Sequence, residues 1–150
     1  MKFLISLVVI VVLFFAARWG VSLKSSEGAL TGIDNGNLRK CPDSPNCVSS
    51  QDISEGHQID EFRLASTTTI ADIASTLRTL PRINIEIQQD NYLHATIKTR
   101  LLGFTDDLEL LAGDSPGQFH IRSASRLGVS DLGVNRKRVE HLRTLLPAAP

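Results

Sequence analysis

In the C-terminal third of the chain, the charged side chains of one segment are acidic and those of the next are mainly basic. Residues 104–114 contain four acidic side chains and no basic one, whereas residues 119–143 are mainly basic. If the two segments pair as strands of one hairpin, their charges neutralise each other. Alternatively, Arg126 and Arg136 lie on either side of an expected helix start at residues 130–135. Two guanidinium groups and the free backbone N–H groups of that helix start would then bind an anion.

Asp106 is the acidic residue that the strand pattern places on an apolar face of the expected sheet. In the expected register Thr99 and Ser123 lie beside it and form a polar row. A buried carboxylate without partners is costly. Either Asp106 caps a helix or anchors a loop by accepting backbone N–H bonds, or the row lines a pocket at the uncovered end of the sheet. In a pocket, Asp106 would be a general acid/base, with Arg122 or Arg126 holding an anionic substrate.

The polar row and the helix start together supply the candidate ligand-binding residues. These are Thr99, Asp106, Arg122, Ser123, Ser125, Arg126, Ser130, Asn135 and Arg136. The segment GVSDLG at residues 128–133 differs from a Gly-x-Ser-x-Gly nucleophile elbow because its second glycine comes one residue late. The histidines lack metal-ligand spacing, and His94 and His120 are expected on a solvated face. We therefore expect no catalytic residue apart from the alternative Asp106, no metal site and no cofactor.

Cys41 and Cys47 enclose a short segment that contains two prolines, CPDSPNC. Five intervening residues fit neither the usual spacing of zinc ligands nor a Cys-x-x-Cys redox motif. In an oxidising compartment the two thiols would form a disulfide. We predict this disulfide.

Hydrophobic periodicity predicts the elements that position these residues. Isoleucines alternate with polar residues over 83–88, and three further alternating stretches follow at 92–101, 104–111 and 117–125; a short strand is also expected at 59–64. A helix is expected at 69–80, with its N-cap among Thr67–Thr69 and Pro81 after its end. A second helix is expected near the C-terminus, with Asp131 or Asn135 as its N-cap. The fold class is α+β, a two-layer sandwich of four to five mainly antiparallel strands with two covering helices.

The register of the last hairpin follows from keeping one sheet face apolar. A loop at residues 113–116 sets Leu110 opposite Phe119 and Leu108 opposite Ile121. It also sets Asp107 opposite Arg122 and Glu109 opposite His120.

The same requirement fixes the register of the preceding hairpin. A turn at residues 102–103 sets Leu101 opposite Phe104 and Ile97 beside Leu108.

The N-terminal segment is apolar almost without a break from residue 3 to residue 17, after Lys2. As a helix it would span roughly 22 Å, and about 31 Å if extended to residue 23, which matches a hydrocarbon core of ~30 Å. Cleavage after Ala17 would place Phe15 at the −3 position, so an uncleaved signal anchor is favoured over a removed signal peptide. We predict a transmembrane anchor at residues 1–23, a flexible tether at 24–37 and a single domain at 38–146.

Charge and cysteine usage disagree about the orientation of this anchor. Basic residues after the apolar run outnumber Lys2 before it, which favours a cytosolic domain. The cysteine pair favours export. We expect a single-pass inner-membrane protein with its C-terminal domain in the periplasm. Residues 25–150 carry 13 basic and 16 acidic residues, so nucleic acid is not an expected partner.

Three segments of the chain resemble the bacterial domain-of-unknown-function 1499 family. They are CPDSPNCVSS at 41–50, RLLGFTDDLEL at 100–110 and IRSASRLGVSDLGVNRKRVEHLR at 121–143. The resemblance covers most of residues 38–146 and implies a domain often found behind an N-terminal membrane segment, without a known biochemical activity. It directs attention to Cys41, Cys47, Asp106, Asp107, Arg122, Ser123, Ser125, Arg126, Ser130, Asp131, Asn135, Arg136 and Arg138. Val129 stands where the family often has an aromatic residue, so no stacking role is carried over.

These observations favour a non-catalytic, membrane-tethered periplasmic domain. Its expected partner is an anionic small molecule, a lipid headgroup or an envelope protein, bound at an Arg/Ser/Asp site. The alternative is an envelope enzyme that uses Asp106 with Arg122 or Arg126. A purely structural envelope factor is the third hypothesis, and it requires no concave polar site.

Overall fold

A computed structural model of the chain describes residues 2–26, 30–100 and 103–146. These residues form three helices and eight strands. In chain order they are α1 (Lys2–Ser26), β1 (Ile33–Asp34), β2 (Asn37–Leu38), β3 (Cys47–Ser49), β4 (Phe62–Arg63), α2 (Ile70–Arg78), β5 (Ile83–Gln88), β6 (Tyr92–Lys98), β7 (Thr105–Ala112), β8 (Gln118–Ser125) and α3 (Val134–Leu145).

The strands form one large antiparallel sheet and one small hairpin. The six-stranded sheet has the order β3-β8-β7-β6-β5, and β4 also pairs with β8. Strands β1 and β2 pair with each other. The predicted α+β fold with a mainly antiparallel sheet is confirmed. The sheet has six strands rather than the expected four to five, because β3 was not predicted. The strand expected at 59–64 is shorter and corresponds to β4.

Helix α2 begins where its capping residues require. Thr69 Oγ1 accepts a hydrogen bond from the backbone N–H of Asp72, and the Asp72 carboxylate accepts one from the backbone N–H of Thr69. This reciprocal pair is a capping box, which satisfies two N–H groups that a helix start leaves without partners. The predicted helix is confirmed; it ends at Arg78, before Pro81.

Both α2 and α3 pack on one side of the six-stranded sheet. Helix α2 buries Ile73 and Leu77, and helix α3 buries Val139 and Leu142. They join one apolar core with the sheet residues Leu93, Ala95, Leu108, Leu110, Phe119 and Ile121. We call this side of the sheet the covered face and the opposite side the open face. The two-layer arrangement therefore leaves α2 and α3 on one sheet face and neither of them on the other.

The register of both long hairpins differs by two residues from the expected one. Leu110 lies opposite Ile121 rather than Phe119, and Leu108 lies opposite Ser123. Consequently Glu109 lies opposite Arg122, and the expected pairs Asp107–Arg122 and Glu109–His120 were wrong.

The same displacement affects the hairpin between β6 and β7. Ile97 lies opposite Asp106, not Leu108, so Thr99 is not the cross-strand neighbour of Asp106. Asp106 itself lies opposite Ser125 instead of Ser123. The expected pairing of Leu101 falls outside the described residues. Because side chains alternate with a period of two, each remaining residue still lies on its predicted face.

Both displaced hairpins close at a glycine with a left-handed backbone conformation. Gly117 and Gly103 have φ angles of 78° and 72°, in the left-handed region that glycine adopts at little cost. Each is the last residue of its loop: the Gly113 N–H donates to the Gln118 carbonyl and the Thr99 N–H to the Phe104 carbonyl. The loop before β8 ends on Gly117, one residue beyond the expected loop at 113–116. The loop before β7 ends on Gly103, as the expected turn at 102–103 does, but it closes between Thr99 and Phe104 and is therefore longer.

The β1–β2 hairpin lies mostly within residues 24–37, which we expected to be a flexible tether. Asn35 and Gly36 have φ angles of 50° and 81°, as a type I′ turn requires, and Asn-Gly is the preferred sequence for that turn. Leu38 of this hairpin packs against Tyr92 and Leu111 on the open face. Within the described part of the chain, no helix combines the length and apolarity needed to cross a membrane.

Candidate functional site

A band of charged and polar side chains crosses the open face of the sheet. We call it the buried polar band; it consists of Tyr92, His94, Thr96, Asp107, Glu109 and Arg122, and each of these residues is buried. Charged side chains are seldom buried unless they are paired. The band therefore has to satisfy its charges internally.

Asp107 is the centre of one half of the band. Its Oδ1 accepts hydrogen bonds from His94 Nε2 at 2.8 Å and from Arg126 Nη2 at 2.7 Å. Its Oδ2 accepts from Arg126 Nε at 2.9 Å. Burial of Asp107 opposes its ionisation, but the hydrogen bonds from His94 and Arg126 outweigh it and lower the pKa of Asp107. The bond to Asp107 in turn raises the pKa of Arg126. Arg126 is thus a charged group held in a fixed orientation.

Glu109 is the centre of the other half. It accepts hydrogen bonds from the Tyr92 hydroxyl at 2.7 Å, from the Gly32 N–H at 2.6 Å and from Arg122 Nη1 at 2.7 Å. Burial and the bond to Glu109 raise the pKa of Tyr92. Since the Gly32 bond comes from the segment before β1, Glu109 also fixes the β1–β2 hairpin on the open face.

A groove of about 880 Å³ lies on the open face beside Asp107. Its charged lining residues are Arg82, Glu86, Lys98 and Arg126, and His94 and Thr96 also line it. Glu86 accepts hydrogen bonds from Thr96 at 2.7 Å and from Asn84 at 2.9 Å, which lower the pKa of Glu86. Arg82 and Lys98 form no ion pair within the described residues. The groove therefore has more positive than negative charge at its surface.

A separate polar network lies under α3 on the covered face. Asp106 Oδ2 accepts a hydrogen bond from Arg138 Nη2 at 2.5 Å. Arg138 Nη1 donates to the Ser123 hydroxyl at 2.9 Å, and that hydroxyl donates to Asn135 Oδ1 at 2.7 Å. Asn135 Nδ2 donates to Ser125 Oγ at 3.0 Å. The expected cross-strand row Thr99–Asp106–Ser123 is not formed. Asp106 instead belongs to this network through Arg138, which also binds Ser123.

The start of α3 is already occupied by a carboxylate of the chain. Asp131 Oδ1 accepts from the Gly133 N–H at 2.9 Å and its Oδ2 from the Asn135 N–H at 2.7 Å. Ser130 Oγ accepts from the Leu132 N–H at 3.3 Å. The N-cap residue of α3 is Gly133, in place of the expected Asp131 or Asn135. Asp131 still accepts from N–H groups at the helix start, so its negative charge occupies the place where an anion was expected.

The structure does not bring Arg126 and Arg136 together. Arg126 binds Asp107 on the open face, whereas Arg136 Nη2 donates to the backbone carbonyls of Gly56 and Gln58. Asp106 likewise lies on the opposite face from Arg122 and Arg126, because side chains alternate along β7. Neither the anion site at the helix start nor the Asp106–arginine arrangement is formed by these residues.

The remaining predicted residues have structural contacts. Thr99 Oγ1 accepts from the Phe104 N–H at 2.9 Å and fixes the loop between β6 and β7. Cys41 and Cys47 form the predicted disulfide. The interpretation of His94 as a solvated residue was wrong, since it is buried against Asp107. His120 is half-buried, with its Nδ1 3.4 Å from Glu61.

Sequence reasoning missed several residues that line the open-face groove. His94, Arg82, Glu86 and Lys98 are brought to one groove by pairing of β5 with β6, and no local motif marks them. Arg138 was named through the family resemblance but not as a candidate ligand-binding residue. It lies three residues after Asn135, which places both on one face of α3.

The fold defines a small α+β domain with one sheet face packed under helices and one face that carries a buried polar band. The family model described as "Protein of unknown function (DUF1499)" matches residues 37–146, more than half of the chain. The chain belongs to this family, as the resemblance of its three segments predicted. No curated protein matches the chain at a significant level, and no solved structure does.

Proposed function

We propose that the domain is a non-catalytic binding module that holds a small anionic ligand in the open-face groove. The observation that carries this proposal is the unequal charge of the groove. Arg82, Lys98 and Arg126 line it, against the single carboxylate of Glu86 among the described lining residues. A concave surface lined by one sign of charge concentrates ligands of the opposite sign.

The contacts of Arg126 support the same function. Its guanidinium group is bound by both oxygens of Asp107, and Asp107 is also bound by His94. A side chain that is already immobilised loses little conformational entropy when a ligand binds. Glu86 accepts hydrogen bonds from Thr96 and from a neighbouring asparagine, so its carboxylate is held in place by neutral partners. Of the two arginines expected to bind an anion, only Arg126 contributes to this groove, together with two cations from the β5–β6 hairpin region.

We further propose that α1 attaches the domain to the inner membrane and that the domain lies in the periplasm. The apolar side chains of α1 support attachment, since Ile10 is 63% and Phe15 is 61% exposed. Apolar side chains exposed in a continuous row require a lipid or protein partner. The Cys41–Cys47 disulfide supports export, because disulfides persist in oxidising compartments.

Binding can be tested on the full chain in nanodiscs of neutral lipid. Backbone NMR spectra are recorded while inorganic phosphate, sulfate, acetate and phenyl phosphate are added. We expect saturable shifts at Thr96, Lys98 and Thr105 with at least one of these anions. In the double variant Arg82→Gln/Lys98→Gln we expect the affinity to be lower by about tenfold or more.

The matched control is Lys40→Gln/Lys137→Gln, which removes two positive charges from exposed positions outside the groove. Its affinity should equal that of the unchanged chain at constant ionic strength. Equal weakening by both double variants would mean that only net charge matters, and absence of shifts with all four anions would refute the proposal.

A further inference from the structure

A second cavity, of about 500 Å³, lies at the N-terminal end of α3 and is separate from the open-face groove. We call it the α3 cleft. Its apolar wall is formed by Phe104, Leu127, Leu132 and Val134. Cavities of this size with mainly apolar walls and a few fixed polar groups are typical of small-molecule sites.

The loop that forms one side of the α3 cleft holds apolar side chains in solvent. Val129 is 77% exposed and Leu132 is 86% exposed. Leu132 also has a φ of 55°, a left-handed conformation that is unfavourable for a residue with a Cβ. Hydrogen bonds to Ser130 and Asp131 fix this turn. An apolar body in the cleft would cover the Leu132 side chain that the turn leaves exposed.

The polar end of the cleft contains a carboxylate that is only half satisfied. The side chain of Asp106 is 2% exposed and lines the cleft. Its Oδ2 is bound by Arg138, whereas its Oδ1 makes no hydrogen bond to any of the described residues. Oδ1 is not fully buried, so a ligand in the cleft can donate a hydrogen bond to it.

The other polar lining groups favour the same kind of ligand. Asp131 adds a second carboxylate, and Ser125 and Ser130 add hydroxyl groups. Among the described residues that line the cleft, none has a basic side chain. An anionic head would therefore meet two carboxylates and no cation in this lining. A head that donates hydrogen bonds is complementary to it.

We propose that the α3 cleft binds a small amphiphile whose polar end donates hydrogen bonds, an amine or an alcohol rather than a carboxylate. The apolar body lies against Leu127, Leu132 and Val134, and the donating head lies at Asp106. This site is independent of the anion-binding groove, which lies on the other face of the sheet.

The test uses three probes with one apolar body: butylamine, butanol and butanoate, which partition little into lipid. Methyl NMR spectra of the full chain in nanodiscs report binding at Leu127, Leu132 and Val134, and Ile87 in the groove reports unrelated effects. We expect saturable shifts at the three cleft residues with butylamine and butanol. Butanoate should bind more weakly by about tenfold or more.

Two tryptophan variants locate the site. Ser130→Trp places a large side chain in the lining and should abolish the shifts. Val129→Trp, at the adjacent exposed position outside the lining, should leave them unchanged. Butanoate binding as tightly as the other probes, absence of shifts with all three, or equal behaviour of the two variants would overturn the proposal. Shifts confined to Ile87 would overturn the proposed α3-cleft site and would leave the proposed anion site in the groove untouched.

Discussion

Nη2 of Arg138 lies 2.5 Å from Oδ2 of Asp106, beneath α3 and on the opposite sheet face from the Arg126–Asp107 pair. The two carboxylates are adjacent in sequence, and alternation along β7 directs them to opposite faces. One acidic dipeptide therefore contributes to both proposed sites. Asp107 orients Arg126 in the groove, while Asp106 provides an acceptor in the α3 cleft.

The buried Asp106–Arg138 pair should be sensitive to the loss of one partner. Replacing Arg138 by methionine leaves a buried carboxylate without its cation, which costs about 3–5 kcal/mol. We expect the free energy of unfolding, measured by urea denaturation at pH 7, to fall by about that amount. Asp106→Leu combined with Arg138→Met should recover part of the loss, because it removes both charges.

The matched control is Arg136→Met, on the same helix. Among the described residues Arg136 donates to backbone carbonyls alone, through exposed hydrogen bonds, so we expect a loss below about 1 kcal/mol. Equal losses in the two single variants would mean that the Asp106–Arg138 contact contributes nothing specific to stability.

The elements of the fold could be predicted because their signals are local. The alternating isoleucines of β5 and the N-cap of α2 at Thr69 each depend on residues a few positions apart, and both were recognised. The Arg138–Asp106 contact joins residues 32 positions apart. It depends on how α3 packs on the sheet, which no local pattern of residue types specifies.

The register error had a physical cause that the sequence did contain. The observed loops end at Gly117 and Gly103, whereas turn residues and face polarity favoured a loop at 113–116 and a shorter turn at 102–103. A two-residue displacement preserves the faces, so polarity could not distinguish the registers. His94 was misjudged for a related reason, since its face was predicted correctly but its burial depends on the partners Asp107 and Arg126.

Gly117 should be essential for this register. Its φ is 78°, and a Cβ there would lie 2.3 Å from the carbonyl oxygen of Leu64. Gly117→Ala therefore combines left-handed strain with a backbone clash. We expect a loss of about 2 kcal/mol or more in the free energy of unfolding, measured by urea denaturation.

Gly36→Ala is the control for this variant. Gly36 has a φ of 81°, and no atom lies within 4 Å of the position that a Cβ would take there. Gly36→Ala should lose only about 1 kcal/mol, from strain alone. A Gly117→Ala protein as stable as Gly36→Ala would show that the turn tolerates displacement from Leu64.

Asp107 should give the stability of the domain a pH dependence. Hydrogen bonds from His94 and Arg126 outweigh burial and lower its pKa in the folded protein. A lowered pKa stabilises the fold above the unfolded value of about 3.9, and this contribution is lost as the pH falls through the folded pKa. The stability difference between the unchanged chain and Asp107→Asn should be about 2 kcal/mol at pH 7 and should shrink below about pH 4.

Urea unfolding at about pH 7, 5 and 3.5, values on both sides of the unfolded pKa, measures this difference. Asp114→Asn, at an exposed position of the loop before β8, is the control and should change stability little at any of these values. A difference for Asp107→Asn that grows as the pH falls would contradict the assigned direction of the pKa shift.

The Cys41–Cys47 disulfide should both stabilise the domain and report its compartment. Asn46, beside this bond, donates hydrogen bonds from Nδ2 to the carbonyls of Ser125 and Gly128. Closing so short a loop stabilises the fold by about 2 kcal/mol in the chain-entropy description. We expect Cys41→Ser/Cys47→Ser to lose about that much and to loosen the Gly128 side of the α3 cleft.

Thiol labelling of intact cells decides whether this bond exists in vivo. Cells are quenched under denaturing conditions and alkylated with and without prior reduction. In the periplasm both cysteines should react only after reduction, because export exposes them to oxidation. Two cysteines that react without reductant would place the domain in the cytosol, the orientation that the basic residues after the apolar run favour. Cysteines that react only after reduction would place the domain in the periplasm, against the orientation that the basic residues favour.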